Sequence, residues 1–404
     1  MNKSYSSLKK EFLIEMDFIA NVGNKIFLCP FIGRTRLSIY CYHFTYFLLF
    51  LTSVQLLWTL FSRAFNDWFE IVNIAPNLGV CLMILIQYQK LHRNKELYEK
   101  ICQHFRHDLW TVVTDSEEHK SILNCYSQTT RMIVRFEFYY TIFLALVVNL
   151  FPRLIMFYES NVAGKEKQYL YPFDGWYPFD KRQWYYVVYT WESFMTTVVI
   201  FLYLFVNMLH ITITRNICME LTFLGNIMEG IIGKNEVIKI QQKVDIINIH
   251  HQISQKLKII VTKHQFIDQI TRELDAVLGE GMLLTYLFGS IFICLTAFTA
   301  TVVDDSYKTL RYFSFFVSLL VHTFFICIMG QLLTNHSEKL ERAIYFVDWV
   351  YADSNTKKML LIFLMRVQKP LIFTAKGYFT MNLNTFSGIC SLSYQLFNLL
   401  RTIF

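Results

Sequence analysis

Seven long apolar stretches run through this chain, separated by polar segments of very different lengths. A helix needs roughly 20 residues to cross about 30 Å of hydrocarbon. The stretches that meet this requirement are 37–61, 68–89, 136–158, 183–214, 276–303, 312–337 and 371–400. Charged residues of the third, Glu137 and Arg153, lie near its ends, where long side chains reach the interface. The pattern predicts an all-α protein with seven membrane-spanning helices.

Amphipathic segments follow the second, fourth and sixth stretches. In 234–275 apolar residues recur at helical spacing, namely at Val237, Ile240, Val244, Ile247, Ile253, Leu257 and Ile260. Such a stripe must be buried on other helices or other subunits, which predicts a cytosolic helical anchor bundle. The predicted division is an amphipathic N-terminal segment at 1–36, six spans with their extensions at 37–335, an anchor helix at 336–370 and a last helix at 371–404.

The distribution of basic residues predicts how the helices are oriented. Of the 38 Lys and Arg, 27 lie in the N-terminal segment and the three long loops, and nine lie on the opposite side. The positive-inside rule therefore predicts a cytosolic N-terminus and an extracellular C-terminus, the reverse of a G-protein-coupled receptor. None of the nine cysteines lies in the predicted outer loops 63–67, 159–182 and 304–311, so no disulfide is expected there. Both features weigh against a metabotropic seven-helix receptor, which stays an alternative.

Composition excludes several other classes of protein. Apolar residues make up 54% and aromatic residues 17% of the chain, more than a soluble protein of this size carries. The net charge of +7 is explained by cytosolic loops that face anionic lipid, without nucleic acid as a partner.

No enzymatic motif is present, so neither an enzyme nor a cofactor is expected. Cys102, His104, His107 and Asp108 could bind a metal on one helix, but a solvated helix face is the preferred interpretation. A transporter would need matching broken spans in its two halves, and the break at Pro76 has no counterpart half a chain away.

The C-terminal segment 349–401 carries a recognisable set of motifs. It contains Trp349, an R-x-Q-K-P step, a Gly-Tyr-Phe turn and a last helix with a terminal aromatic motif, formed by Arg366, Gln368, Lys369, Pro370, Gly377, Tyr378, Phe379, Phe386, Tyr394, Phe397, Leu399 and Leu400. This pattern resembles the C-terminal signature of insect odorant receptors. Two positions depart from it, because Gln395 and Asn398 stand where that family usually has Ser and Thr.

The resemblance implies a ligand-gated, non-selective cation channel: a tetramer with a central pore and a cytosolic anchor. Gustatory receptors and the obligate odorant co-receptor carry Gln six residues after the conserved Tyr, whereas Leu400 stands there in this chain. The chain therefore resembles a ligand-tuned subunit, which assembles with the co-receptor in the plasma membrane of olfactory dendrites and binds small volatile molecules. A gustatory-type channel subunit is the alternative.

The resemblance also assigns the pore to the last helix. Helical spacing places Cys390, Tyr394, Phe397 and Arg401 on one face with Asn398 beside them, and these five residues are the predicted pore lining. A face that mixes aromatic and polar groups can gate by dewetting. Ordinary lipid or helix contacts are the competing interpretation for Tyr394 and Phe397.

The resemblance further implies a ligand pocket in the outer halves of spans two to six, and such a site needs apolar and aromatic walls. Helical spacing gives the candidates Val80, Met83, Phe143, Val147, Phe151, Tyr185, Tyr189, Glu192, Thr196, Phe288, Phe292 and Thr296. Glu192 stands out, because an acid within an otherwise uncharged span is costly unless it is paired or hydrated. Plain packing is the competing interpretation for each aromatic residue, and hydration at the outer interface is that for Glu192.

Overall fold

Helices account for nearly all of the structure, a computed structural model that describes residues 5–25, 36–64, 68–111, 116–161, 169–302 and 306–403. These ranges contain α1 (Tyr5–Lys25), α2 (Arg36–Ala64), α3 (Trp68–Arg93), α4 (Lys95–Arg106), α5 (Glu117–Asn161), α6 (Tyr185–Glu229), α7 (Lys234–Gln241), α8 (Ile246–Val302), α9 (Ser306–Tyr345), α10 (Ser354–Val367) and α11 (Leu383–Ile403). Two 3₁₀ turns, Asp108–Thr111 and Trp349–Tyr351, and an antiparallel hairpin of β1 (Thr374–Ala375) and β2 (Phe379–Thr380) complete the described part. The predicted all-helical class is confirmed.

Every predicted span has a helical counterpart. Within the described residues, length and composition alone allow five helical segments to cross a membrane: Arg36–Arg63, Glu117–Tyr158, Tyr185–Gln241, Ile246–Val302 and Thr309–Tyr345. The other two predicted spans lie on α3 and α11. The chain is therefore a multi-pass membrane protein.

Helix α6 is the central element of the bundle. It packs most extensively on α5 and α9 and also contacts α1, α2, α3 and α8. Its second half is buried on nearly all sides, and Arg215 and Glu220 are included in that burial. A helix that is buried around its circumference belongs in the middle of a bundle.

The two ends of the bundle differ in structure. Helices α4, α7 and α10 pack near the start of α8, and we call this the anchor end. Residues 169–184 lead into α6 at the opposite end, which we call the loop end. Ile253, Leu257 and Ile260 are buried at the anchor end as predicted.

The predicted apolar stripe is wrong in its middle, whereas Val237 and Ile240 are half-buried against the core. Val244 and Ile247 are exposed, and Ile247 reaches 88% exposure. The cause is a helix break between α7 and α8, where Lys243 and Asp245 adopt positive φ. The stripe resumes on the far side of the break with Ile249.

The histidine-rich face of α4 serves a packing role. His104 is buried, and its Nε2 lies 2.8 Å from an Oε of Glu220 on α6, whereas His107 is exposed. This pair ties α4 to the middle of the bundle. Among the described residues, no group of three or more His, Cys, Asp or Glu side chains could hold a metal ion.

The last helix begins later than the sequence predicts. Hydropathy places its start at Leu371, but α11 begins at Leu383. The intervening hairpin turns at Gly377, which has a φ of +79°. Asp275 of α8 holds the hairpin by accepting hydrogen bonds from the backbone N–H of Thr374 at 2.5 Å and from its hydroxyl at 2.8 Å. These bonds give the backbone an alternative to helix.

A close approach on α9 fixes where α11 starts. The backbone oxygen of Met381 packs against Gly330 so tightly that a Cβ at Gly330 would lie 2.0 Å from it. Further along, the Ser393 hydroxyl donates to the Ser290 carbonyl of α8 at 3.0 Å. Helix α11 is therefore positioned by α8 and α9.

Candidate ligand cavity and exposed helix face

A cavity of about 120 Å³ lies between α5, α6 and α9, with one wall residue from α3. We call it the α5–α6–α9 cavity. It is lined by Val80, Glu137, Tyr140, Thr141, Leu144, Val147, Val148, Phe151, Val199, Ile200, Tyr203, Asn207, Leu310, Arg311, Ser314, Phe315, Ser318, Leu319, Val321 and His322. Mostly apolar walls with a few polar groups are typical of small-molecule sites.

Polar groups lie toward both ends of this cavity. Arg311, near the start of α9, is only 9% exposed, and its Nε and Nη2 have no hydrogen-bond partner among the described residues. Toward the anchor end, the His322 ring is tilted at 50° to the Tyr203 ring, with 4.6 Å between the centroids, and its Nδ1 lies 3.4 Å from the Asn207 amide nitrogen. The buried Glu137 lines the cavity as well. Buried polar atoms without partners mark places where a ligand could bind.

The structure brings three of the predicted pocket residues together in this cavity: Val80, Val147 and Phe151. Sequence reasoning missed its polar residues, above all Arg311 and Glu137. A signal for them existed, because both lie at the margins of otherwise apolar stretches. Hydropathy alone assigned such charges to the interface.

Glu192 lies outside the cavity lining and holds a loop. The carboxylate is completely buried and accepts hydrogen bonds from the backbone N–H groups of Phe173, Asp174 and Gly175 at 3.0, 3.1 and 3.0 Å. The Tyr177 hydroxyl donates a fourth bond at 3.2 Å. We call residues 171–177 the strap. These four donors provide the pairing that a buried acid requires.

The strap also binds α2. The N–H of Trp176 donates to the Thr59 hydroxyl at 2.9 Å, and the Gln55 amide donates to the Trp176 carbonyl at 3.1 Å. At its centre, Asp174 pairs with Lys181 and with Arg63, the latter at 3.0 Å. Against the opposing effect of burial, these two cations hold the pKa of Asp174 below its ordinary value. The strap thus joins α2 to α6 at the loop end.

Two predicted tyrosines pack beside the strap. Tyr185 is buried and its hydroxyl donates to the Leu170 carbonyl at 3.2 Å. Tyr189 donates to the Asn149 carbonyl of α5, and the Arg153 guanidinium carbon lies 4.1 Å from the centroid of its ring. Neither residue lines the α5–α6–α9 cavity.

The remaining pocket candidates are dispersed. Phe292 packs on α3 so closely that a Cβ at Gly79 would lie 2.2 Å from its ring, and Phe288 stacks beside it at 5.9 Å between ring centroids. Thr296 is buried and donates to the Phe292 carbonyl at 2.7 Å. Phe143 is 59% exposed on α5. Met83 and Thr196 are half-buried and lie outside the cavity lining.

Helix α11 presents the predicted pore residues in different directions. Tyr394 is 66% exposed, and Asn398 and Arg401 are exposed too. Cys390 is half-buried, and the half-buried Phe397 lies edge-on to Phe298 of α8 at 6.4 Å between ring centroids. The five residues therefore span the boundary between the exposed and the packed side of α11.

A polar stripe occupies the middle of the exposed side. At about 100° per residue, one face of α11 contains Asn384, Ser387, Ser391, Gln395, Asn398 and Thr402. We call these six residues the α11 polar face. All of them are exposed in the single chain, while Ile389 and Ser393 on the opposite side are buried. Of the predicted pore set, only Asn398 belongs to this face.

With the cavity and the last helix described, comparison with known proteins identifies the family. A family model described as 7tm Odorant receptor matches residues 77–394, which is most of the chain. The chain belongs to the odorant receptor family. The resemblance inferred from the C-terminal motifs is thereby confirmed, and family membership places the chain among receptors and not among enzymes.

Sequence relatives in Drosophila melanogaster are distant. Odorant receptor 49a is 24% identical over 320 residues, which cover 78% of this chain and 73% of the relative. Odorant receptor 67a is 28% identical over 150 residues. That match covers 37% of each chain, so this chain matches little more than a third of that relative's length.

Solved structures share the fold across almost the whole chain. The insect olfactory receptor OR5 from Machilis hrabei superposes with a TM-score of 0.80 at 14% identity, covering 96% of this chain and 98% of that one. The same receptor in complex with eugenol gives a TM-score of 0.82 at 15% identity, covering 98% and 100%. The seven-helix odorant receptor fold is confirmed.

Proposed function

We propose that this odorant receptor is the odorant-specific subunit of a heteromeric, ligand-gated, non-selective cation channel. The observation that carries the proposal is the pairing, in one chain, of an internal cavity with a polar face on the last helix. The cavity would bind a volatile molecule, and the polar face would line the path of the ions.

The cavity supports the ligand part of the proposal. Its walls are mostly apolar, which suits a small volatile molecule that offers little beyond shape. The related OR5 of Machilis hrabei has been solved in complex with eugenol. For this chain we propose that the odorant site is the α5–α6–α9 cavity, with Val80, Val147 and Phe151 among its walls.

The α11 polar face supports the pore part of the proposal. Polar side chains facing hydrocarbon are costly, so those on a membrane-spanning helix normally face other helices or a water-filled cavity. Ser, Asn, Gln and Thr side chains can hydrogen-bond hydrated cations without adding charge. We propose that this face and the last helices of the other subunits surround a central pore, with Tyr394 and Arg401 at the edge of the face.

Helix α9 links the two sites. It forms one wall of the cavity with residues from Leu310 to His322. Its next turn contacts α11, where Phe324 lies edge-on to Phe386 at 5.5 Å between ring centroids. A ligand that shifts α9 would therefore move α11 directly, which provides a short route for gating.

Partners and location complete the proposal. The anchor end would be cytosolic, as the excess of basic residues on that side suggests. There the chain would pack against the odorant receptor co-receptor in a tetramer. The complex would lie in the plasma membrane of the dendrites of olfactory neurons.

The test is whole-cell current in cells blocked for G-protein signalling, with this chain expressed alone and with an odorant co-receptor. A fast cation current evoked by a panel of volatile esters, alcohols and terpenes, present only with both subunits, is the expected result. A response abolished by the G-protein block would favour a metabotropic receptor instead. A surface-expressed pair that stays silent to the whole panel would count against the channel.

Variants of α11 test the pore assignment within the same cells. Gln395→Lys places a cation on the α11 polar face and is expected to reduce the inward cation current severalfold by electrostatic repulsion. Gln128→Lys is the matched control, because Gln128 is exposed on α5 toward the anchor end. Equal currents from both variants would contradict the assignment of α11 to the pore.

A further inference from the structure

The cavity contains a cation with unused hydrogen-bonding capacity. Arg311 is nine-tenths buried, and its Nε and Nη2 have no hydrogen-bond partner among the described residues. These two nitrogens form one edge of the guanidinium, from which two N–H bonds point in nearly parallel directions. That edge is the one that binds a carboxylate with two hydrogen bonds.

Among the described residues, the cavity wall beside Arg311 provides no compensating charge. Leu310, Phe315 and Leu319 are apolar, and the Phe315 ring centroid lies 6.0 Å from the guanidinium carbon. The hydroxyl of Ser314 already donates to the Leu310 carbonyl at 2.8 Å. A buried cation in such surroundings is strongly unfavourable until an anion pairs with it.

The other charged group of the cavity does not neutralise Arg311. Glu137 lies on α5, toward the anchor end from Phe151, whereas Arg311 lies near the start of α9 at the loop end. Within the described part of the chain, no ion pair joins the two side chains, in keeping with the unpartnered Nε and Nη2. The cavity therefore has a cationic end and an acidic end separated by apolar wall.

We propose that Arg311 makes the α5–α6–α9 cavity a site for small monocarboxylates. The carboxylate binds the Nε and Nη2 edge, and the hydrocarbon tail lies along the α5 wall of Leu144, Val147 and Val148. A second acidic group would approach Glu137, so dicarboxylates are disfavoured. This inference rests on the proposed use of the cavity as the odorant site and names the chemical class of its ligand.

The experiment measures binding, so it does not depend on a current. The full-length chain is purified in a maltoside detergent, which carries no phosphate, and titrated at pH 7.4 with pentanoic acid, methyl pentanoate, 1-pentanol and pentylamine. Ligand-dependent thermal stabilisation gives each affinity. Pentanoate is expected to bind about tenfold or more tightly than the ester and the alcohol, as suits hydrogen bonds to a charged partner.

Three variants locate the effect. Arg311→Gln is expected to lower pentanoate affinity to that of 1-pentanol, and unchanged 1-pentanol binding would show that the cavity is intact. Arg311→Lys keeps the charge but cannot make the bidentate contact. Its pentanoate affinity is expected to lie between those of the unmodified chain and Arg311→Gln. Arg153→Gln is the matched control, since Arg153 is exposed and stacks on Tyr189 outside the cavity lining.

Several outcomes would overturn the proposal. One is equal binding of pentanoate, ester and alcohol, and another is a preference for pentanoate that survives in Arg311→Gln. Tightest binding of pentylamine would assign the selective role to Glu137, and no binding of any probe would count against the site. Repetition in phosphatidylcholine nanodiscs should leave pentanoate affinity unchanged, and its loss there would show that lipid phosphate occupies Arg311. A channel that responds only to neutral odorants would contradict the monocarboxylate site and leave the proposed function intact.

Discussion

Two buried charges near the loop end of this receptor have opposite surroundings. Glu192 accepts four hydrogen bonds from the strap at residues 171–177. Arg311, in the neighbouring cavity, has an Nε and an Nη2 without hydrogen-bond partners among the described residues. Burial is similar in the two, so burial alone cannot distinguish a structural charge from one available to a ligand. The number of satisfied hydrogen-bonding groups does distinguish a structural charge from one available to a ligand.

The largest expected effect is on the strap. Glu192→Leu removes the acceptor of three backbone N–H groups and one hydroxyl, and is expected to destabilise the receptor by about 3–5 kcal/mol, because each buried donor left unsatisfied costs about 1–3 kcal/mol. Glu229→Leu on the exposed end of α6 is the matched control. Denaturant unfolding of both purified variants provides the measurement. A smaller loss of unfolding free energy in Glu192→Leu than in the control would mean that Glu192 does not stabilise the fold, and that it is available to a ligand as Arg311 is.

The α2 side of the strap gives a smaller effect. Thr59→Val leaves the Trp176 N–H without its acceptor and is expected to cost about 1–3 kcal/mol, the penalty for an unsatisfied buried donor. Thr190→Val is the control, because the exposed Thr190 bonds only the carbonyl four residues before it. Unfolding midpoints of the two variants decide the question, and equal midpoints would mean that α2 does not hold the strap.

Arg311 should respond in the opposite direction. Arg311→Met replaces a buried cation that has no anionic partner among the described residues with an apolar side chain of similar length, and is expected to leave stability unchanged or raise it by about 1 kcal/mol. The measurement is thermal unfolding without ligand. Marked destabilisation would show that Arg311 already has a structural partner, and the contrast with Glu192 would disappear.

The smallest effect concerns pH. The cations beside Asp174 hold its pKa below the ordinary value of 3.8, so its stabilising contribution is present above 3.8 and is lost as pH falls through the lower folded value. Since the side chain is about a third exposed, the contribution is expected to be about 1 kcal/mol or less. Asp174→Asn should flatten the acid limb of the stability profile below pH 3.8. An unchanged acid limb would assign that pH dependence to other carboxylates.

Sequence patterns predicted the cavity only in part. Val80, Val147 and Phe151 were found because helical spacing placed them on inward faces of their spans, and the structure brings them together. Glu192 was singled out correctly as unusual, but its partners lie in an irregular loop with no period to read. Arg311 was overlooked, since a charge near a span end is normally assigned to the interface.

The last helix shows a similar division. The polar residues Ser391, Gln395 and Asn398 recur at helical spacing, so the stripe was present in the sequence. Its direction depended on contacts made elsewhere, because Ser393 and Phe397 pack on α8 and turn the opposite side of α11 outward. The hairpin that delays the start of α11 also depends on a distant residue, Asp275.

The sequence by itself determined the helical class, the places of the first six membrane helices and the family, because hydrophobic length and the C-terminal motifs are local properties of the chain. Only the tertiary structure decided which buried charges are satisfied and which side of each helix faces a cavity. The physical reason is that apolar residues surround most of these helices, so periodicity leaves their rotation undetermined. Rotation is set by a few long-range hydrogen bonds and close contacts, such as those of Glu192 and Gly330.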